Sequence, residues 1–258
     1  MERYFSVNAA GRSIRCKLYC TSPNAIRQVV IYGHGFGGNK DTKIAQRFAG
    51  RLLSKHKDAA LLTFDWPCHG QDVGKTLLLE DCDLYLDQVL DYVQKRWKPQ
   101  LLLGYGTSFG GFLFLRHLAQ KGCPFHRLAL RCPALTIREA LTDSLVSPKD
   151  QAKLAAGKPV QVGFDRKFRL TRGFLEQLEA ADVRKLDFRP FAGQILILHG
   201  TRDELIPLSA SEEFAGRNGI SFLPIEGADH GFMDLKKLEE ATKAIMDFYY
   251  SDTPTGGI

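Results

Sequence analysis

The chain has 258 residues, 44% hydrophobic and 25% charged, with 24 Gly and 11 Pro, a balance that suits a folded protein of one large α/β domain or two small ones. Its formal net charge of +6 is spread out rather than gathered into runs. Basic clusters such as Arg166-Lys167-Phe168-Arg169 therefore read as solvated surface, which sets nucleic-acid binding aside.

In chain order, Tyr4 to Tyr19 reads as two short strands around the turn Asn8-Ala9-Ala10-Gly11, where Asn and Gly tolerate positive φ. Gln28 to Tyr32 is a β-branched apolar run fit for a strand buried on both faces, and it ends in Gly33-His34-Gly35-Phe36-Gly37-Gly38. An amphipathic helix follows, with Ile44, Phe48, Leu52 and Leu53 on one side. Ala59 to Trp66 is the next strand, closing with Asp65-Trp66-Pro67-Cys68-His69-Gly70. In this loop Asp65 and His69 are expected to hold a turn. Glu80 to Trp97 is a helix whose stripe carries Leu84, Val89, Tyr92, Val93 and Trp97, with Pro99 just past its end. An apolar strand from Leu101 then runs into Gly106-Thr107-Ser108-Phe109-Gly110, a helix to about Gln120, and a strand from Arg127 to Arg131.

From Ala134 to Pro190 the rhythm breaks into a charged, helix-prone stretch without a buried-strand pattern. Its position between two core strands marks it as an inserted cap. Gln194 to Leu198 and Ser221 to Ile225 are the last strands, leading into His199-Gly200-Thr201-Arg202-Asp203 and Glu226-Gly227-Ala228-Asp229-His230-Gly231. A helix from about Leu235 to Tyr249 ends the fold, and the tail Ser251 to Ile258 is expected to fray. Eight strands alternating with helices imply a mostly parallel sheet covered on both faces. The expected organisation is a single domain over 1–258 with the cap at about 134–190.

Six cysteines lack CxxC pairs or metal-type spacing, so no metal site is expected and the thiols point to a reducing compartment. The N-terminus opens with charge and shows no secretory apolar region, and no apolar run nears the roughly 18 residues of a membrane span. The expected location is cytoplasmic, with no membrane partner.

Gly-x-Ser-x-Gly between a strand and a helix is the layout a serine nucleophile needs. The serine stands on a turn too tight for flanking side chains, and the helix N-terminus points amides at the reacting oxygen. A neutral serine attacks poorly, so Ser108 needs a base, for which His230 is the candidate. An imidazole that becomes charged needs a carboxylate to hold it, for which Asp203 is the candidate. Taken singly, a His in a Gly-rich loop and an Asp between Arg202 and Glu204 are more often solvated. All three, however, follow the C-terminal ends of strands, where parallel sheets place their sites. The oxyanion needs two fixed amides, and those of Phe109 and Phe36 are the candidates. Phe36, Phe109, Trp66 and Phe232 are candidate walls of an apolar acyl pocket.

These stretches together resemble the α/β-hydrolase superfamily over nearly the whole chain, with the same Ser, Asp, His order, and within it the bacterial cinnamoyl (feruloyl) esterases and related intracellular carboxylesterases. Their His-Gly-Phe-x-Gly-Asn-Lys segment is matched by His34 to Lys40, and Gly-Thr-x-Asp-x-x-x-Pro by Gly200, Thr201, Asp203 and Pro207. Thr107 stands where His is common and Phe109 where Gln or Met is common, which narrows the acyl side. The resemblance implies an α/β-hydrolase fold with a small cap after the sixth strand. It also implies cofactor-free esterase activity on a small-molecule ester, by a monomer or homodimer. A peptidase or amidase, a monoacylglycerol lipase, and a non-catalytic binding module on the same fold remain as alternatives.

Overall fold

The computed structural model describes residues 1–9, 11–163 and 166–251. The tail expected to fray lies outside them, apart from Ser251, as does Ala10 of the first turn. Strands β1 (Glu2–Ala9) and β2 (Arg12–Cys20) form an antiparallel hairpin, and β2 pairs antiparallel with β4 (Ala59–Phe64). From β4 onward the sheet is parallel. It runs through β3 (Gln28–Gly33), β5 (Leu101–Thr107), β6 (Arg127–Arg131), β9 (Ile195–Gly200) and β10 (Ser221–Ile225), giving the order β1-β2-β4-β3-β5-β6-β9-β10. The eight-stranded, mostly parallel sheet matches the expectation strand for strand.

The order explains where a site forms. After β3 the chain steps to β4 on one side, then crosses back to β5 on the other side and continues outward. The loops leaving β3 and β5 therefore diverge at the carboxyl ends of neighbouring strands and open a crevice between them. Inner strands such as β4 and β9 are buried along their whole length, so their residues pack on both faces. Val30, Tyr32, Leu103 and Tyr105 face helices α1 (Lys43–Lys55) and α8 (Leu235–Tyr250), with Phe48, Leu52, Ile245 and Tyr249 between them. Val29, Ile31 and Leu102 face the opposite core, which takes in α2 (Leu79–Trp97) and α3 (Phe109–Lys121). Among the described residues no helix is long and apolar enough to cross a membrane.

The segment between β6 and β9 holds α4 (Ile137–Ala140), which runs on into a π-helical turn, then α5 (Pro148–Ala155), and α6 (Arg172–Ala180). It also contains a feature the sequence pattern did not announce: an antiparallel pair, β7 (Val160–Val162) with β8 (Phe168–Leu170). Each strand is three residues long and buries only its outer two, too little alternation to register as a strand. Arg166 ties this hairpin down by donating to the carbonyls of Gly70 and Gly74 at 3.1 and 2.9 Å. Helix α7 (Leu208–Asn218) connects β9 to β10.

Candidate active site

Ser108 lies between β5 and α3 with φ 50° and ψ −116°, a conformation that L residues rarely adopt and that costs of order 1–3 kcal/mol. The turn closes because its neighbours have no side chains. A Cβ on Gly110 would lie 2.3 Å from the Gly33 oxygen, and one on Gly106 2.8 Å from Gly111 Cα. The serine amide donates to the Arg131 carbonyl at 3.0 Å, which anchors the turn to β6.

His230, in the loop after β10, places Nε2 2.9 Å from Ser108 Oγ and Nδ1 2.7 Å from Asp203 Oδ2. Asp203 follows β9, and its side chain is fully buried. Burial pushes its carboxyl up, but hydrogen bonds from His199 and His230, with the charge of His230, outweigh that and hold it well below its ordinary value. The amides of Leu205 and Ile206 both donate to Oδ1 at 2.9 Å. His199 is a partner the sequence reading missed. Its Nε2 lies 3.0 Å from Asp203 Oδ2, while Nδ1 lies 2.8 Å from the Ser211 hydroxyl. The signal was present, because His199 stands four residues before Asp203 at the end of the same strand.

The thiol of Cys132, the imidazole of His230 and the carboxylate of Asp203 lie within 4.8 Å of one another, a spacing that could hold a metal ion. The donor set fits one poorly. Burial pushes the Cys132 thiol up to about 12, so it stays protonated, and Asp203 Oδ2 already receives two imidazoles.

The loop after β3 faces the serine, with Gly35 so close that a Cβ there would lie 3.2 Å from Ser108 Cβ. The Phe109 amide opens α3, where an N–H has no intrahelical acceptor, and the Phe36 amide likewise meets no backbone acceptor among the described residues. The loop is pinned from beneath by His34. Its Nδ1–H donates to the Gly35 carbonyl at 2.8 Å and its Nε2 accepts the Trp66 amide at 3.3 Å. Burial pushes His34 down to about 4, so it is neutral in this role.

Asp65 is also structural, accepting the amides of Lys40 and Gln71 at 2.7 and 2.9 Å. His69 packs its ring among Phe36, Phe109 and Phe168 and donates to the Pro67 carbonyl, and burial pushes it down to about 3. Asp229 is exposed and accepts the Met233 amide.

A cavity of about 270 Å³ opens beside Ser108 and His230. Phe36, Ile44, Leu205 and Ile206 line it from the main fold, and Ile137 and Leu141 from the inserted segment. Of the four aromatics expected to wall an acyl pocket, only Phe36 lines this one. Phe109, Trp66 and Phe232 point into packed regions and are buried to 2% exposure or less.

A serine on a strained strand-to-helix turn, a histidine and a buried aspartate from later loops, and a mostly parallel eight-stranded sheet define an α/β-hydrolase fold. The sequence profile of the family described as "Serine aminopeptidase, S33" matches residues 24–162, more than half of the chain, and the chain belongs to that family.

Among solved structures, the chain is similar to Est1E from Butyrivibrio proteoclasticus with ferulic acid bound. The two share 22% identity and a TM-score of 0.74 over 95% of this chain and 97% of that one. It is also similar to the Pyrococcus furiosus esterase Pf2001 (15% identity, TM-score 0.69, 96% and 91% covered). Mouse alpha/beta hydrolase domain-containing protein 10 is a third relative in shape (16% identity, TM-score 0.67, 95% and 97% covered). No curated protein sequence matches the chain.

Proposed function

We propose that this chain is a serine carboxylesterase that hydrolyses small esters through a covalent acyl-enzyme. The observation that carries the reading is the continuous chain from Ser108 Oγ through His230 to the buried Asp203, set at the wall of a small, largely apolar cavity. Ser108 Oγ attacks the ester carbonyl while His230 Nε2 takes its proton, and Asp203 stabilises the imidazolium that forms. The oxyanion is held by the amides of Phe36 and Phe109, one such donor being worth about 3–4 kcal/mol. The bond to the alcohol breaks as His230 returns the proton to it. Water, deprotonated by the same imidazole, then releases the acid. The chemistry needs no cofactor, and the chain acts as a monomer or homodimer. Its six unpaired cysteines, five of them buried, suit the cytoplasm.

The family description favours a second reading, an aminopeptidase. A free peptide amino terminus calls for a carboxylate to receive its ammonium group, and among the described residues lining the cavity none is acidic. The ferulic acid bound to Est1E is the reason to include a hydroxycinnamoyl ester among the substrates tested.

The test is a panel of short p-nitrophenyl esters, methyl ferulate, a monoacylglycerol and an aminoacyl anilide, each with Ser108→Ala. Ester turnover that vanishes in the variant is expected. Turnover of the anilide alone would move the assignment to the peptidase. No turnover together with no fluorophosphonate labelling of Ser108 would leave a binding module.

A further inference from the structure

Arg131 ends β6 and is 4% exposed, yet it lines the cavity. Among the described lining residues it is the one with a permanent charge. Among the described residues one of its five N–H groups has an acceptor, Nη1 at 3.2 Å from the Gly231 carbonyl, and Nε is buried without a partner. The guanidinium lies 4.6 Å from the centre of the Phe232 ring. Among the described residues no carboxylate reaches it within ion-pair distance, and the exposed Asp229 acts on it only at longer range.

A cation buried with so few acceptors is costly, and such a group is ordinarily paired. Nearby hydroxyls do not supply the pairing: that of Tyr32 meets Thr107 at 3.2 Å and that of Tyr105 is buried without a partner, and neither reaches the guanidinium within hydrogen-bond distance.

We propose that Arg131 is a specificity-determining residue, and that the preferred ester carries a second, ionised carboxylate received by this guanidinium. The inference rests on the esterase reading. A planar carboxylate matches the fork of N–H donors, which a neutral chain end of the same length does not. The rest of the cavity, lined by Ile44, Ile137, Leu141 and Leu205, holds the carbon chain between the carboxylate and the ester carbonyl. The same arrangement penalises an ammonium-bearing substrate, in line with the ester preference proposed above.

The experiment compares matched esters by pH-stat titration on the full chain: monomethyl glutarate against methyl pentanoate for an anion on the acyl side, and O-butyryl glycolate against propyl butyrate for one on the alcohol side. In the unmodified protein one anionic ester is expected to exceed its neutral match in kcat/KM by about 10- to 100-fold, the range expected for hydrogen bonds to a charged group. The readout in Arg131→Gln and Arg131→Lys is the ratio of the pair. It should collapse to about one or below in the Gln variant and recover in part in the Lys variant. Inhibition of neutral-ester turnover by pentanoate but not by pentanamide tests the same point without any substitution.

Equal turnover of each pair and equal inhibition by pentanoate and pentanamide in the unmodified protein would overturn the proposal, as would a preference that survives Arg131→Gln. If no ester is hydrolysed and a fluorophosphonate fails to label Ser108, the esterase reading itself has failed. If neutral esters turn over without an anionic preference, only the role of Arg131 has.

Discussion

Replacing His199 by Leu isolates the least obvious part of the site, the second imidazole on Asp203. The substitution puts an apolar side chain of similar size in a position with no exposure. Asp203 loses the donor 3.0 Å from Oδ2 and keeps His230 on the same oxygen, with the Leu205 and Ile206 amides on Oδ1. A hydrogen bond to a charged group is worth about 1.5–3 kcal/mol, and only the part that steadies Asp203 against the imidazolium appears in the rate.

We therefore expect kcat on a p-nitrophenyl ester to fall about tenfold with KM little changed, because the lost interaction serves the charge formed in the transition state. Stability falls as well, since the Ser211 hydroxyl and the Ile206 carbonyl lose the partner they share in His199. Asp203→Asn, which presents the wrong group to His230 Nδ1, should cost about 10⁴. In that background His199→Leu should add little to the loss of rate, and the double-mutant cycle measures this coupling.

The sign of the acid response follows from the depressed carboxyl of Asp203. Its contribution to stability is present above the ordinary value of 3.8 and is lost as pH falls toward the lower folded value. With one donor gone the folded value rises, so the variant should unfold at higher pH than the parent in an acid titration followed by circular dichroism. A His199→Leu protein that melts lower but keeps its full kcat would refute the assignment. So would equal rate losses in both backgrounds.

Two further outcomes follow from the same structure. Gly110→Ala drives a Cβ toward the Gly33 oxygen and should lower the melting temperature by about 3–10 °C, whereas Gly50→Ala, in an open position of α1, should leave it unchanged or raise it; equal shifts would contradict the close approach. His34 and His69 are pushed down to about 4 and about 3, so the unfolded chain takes up protons that the folded one does not as pH falls below 6.5. Stability should fall across pH 6.5 to 4, by about 3 kcal/mol for His34 alone, and denaturant titrations at several pH values would show a flat response if both rings were charged in the fold.

The sheet was legible from the chain because each core strand is a short apolar run closed by Gly or a polar turn, and burial on both faces allows nothing else there. The Ser108, Asp203 and His230 positions were legible for a related reason. Residues at the carboxyl ends of parallel strands converge whatever the loops between them do, so order along the chain stood in for distance. The β7–β8 pair was not legible, since three-residue strands alternate too briefly to leave a period.

The pocket wall was misread for a different reason. The sequence gives Phe109, Trp66 and Phe232 the same apolar character as Phe36, and only the direction of each backbone bond decides which of them meets the cavity. His199 and Arg131 belong with that group. In the sequence they are a histidine before a glycine and an arginine at a strand end, ordinary in both composition and spacing. What each does depends on which atoms face it across the sheet: a buried carboxylate for His199, and for Arg131 a cavity with no carboxylate among the described residues that line it. Local propensity and pattern determined the strands, the tight turn and the order of Ser108, Asp203 and His230 along the chain. The partners of buried polar groups are set by contacts between residues distant in the chain, and these only the tertiary structure decided.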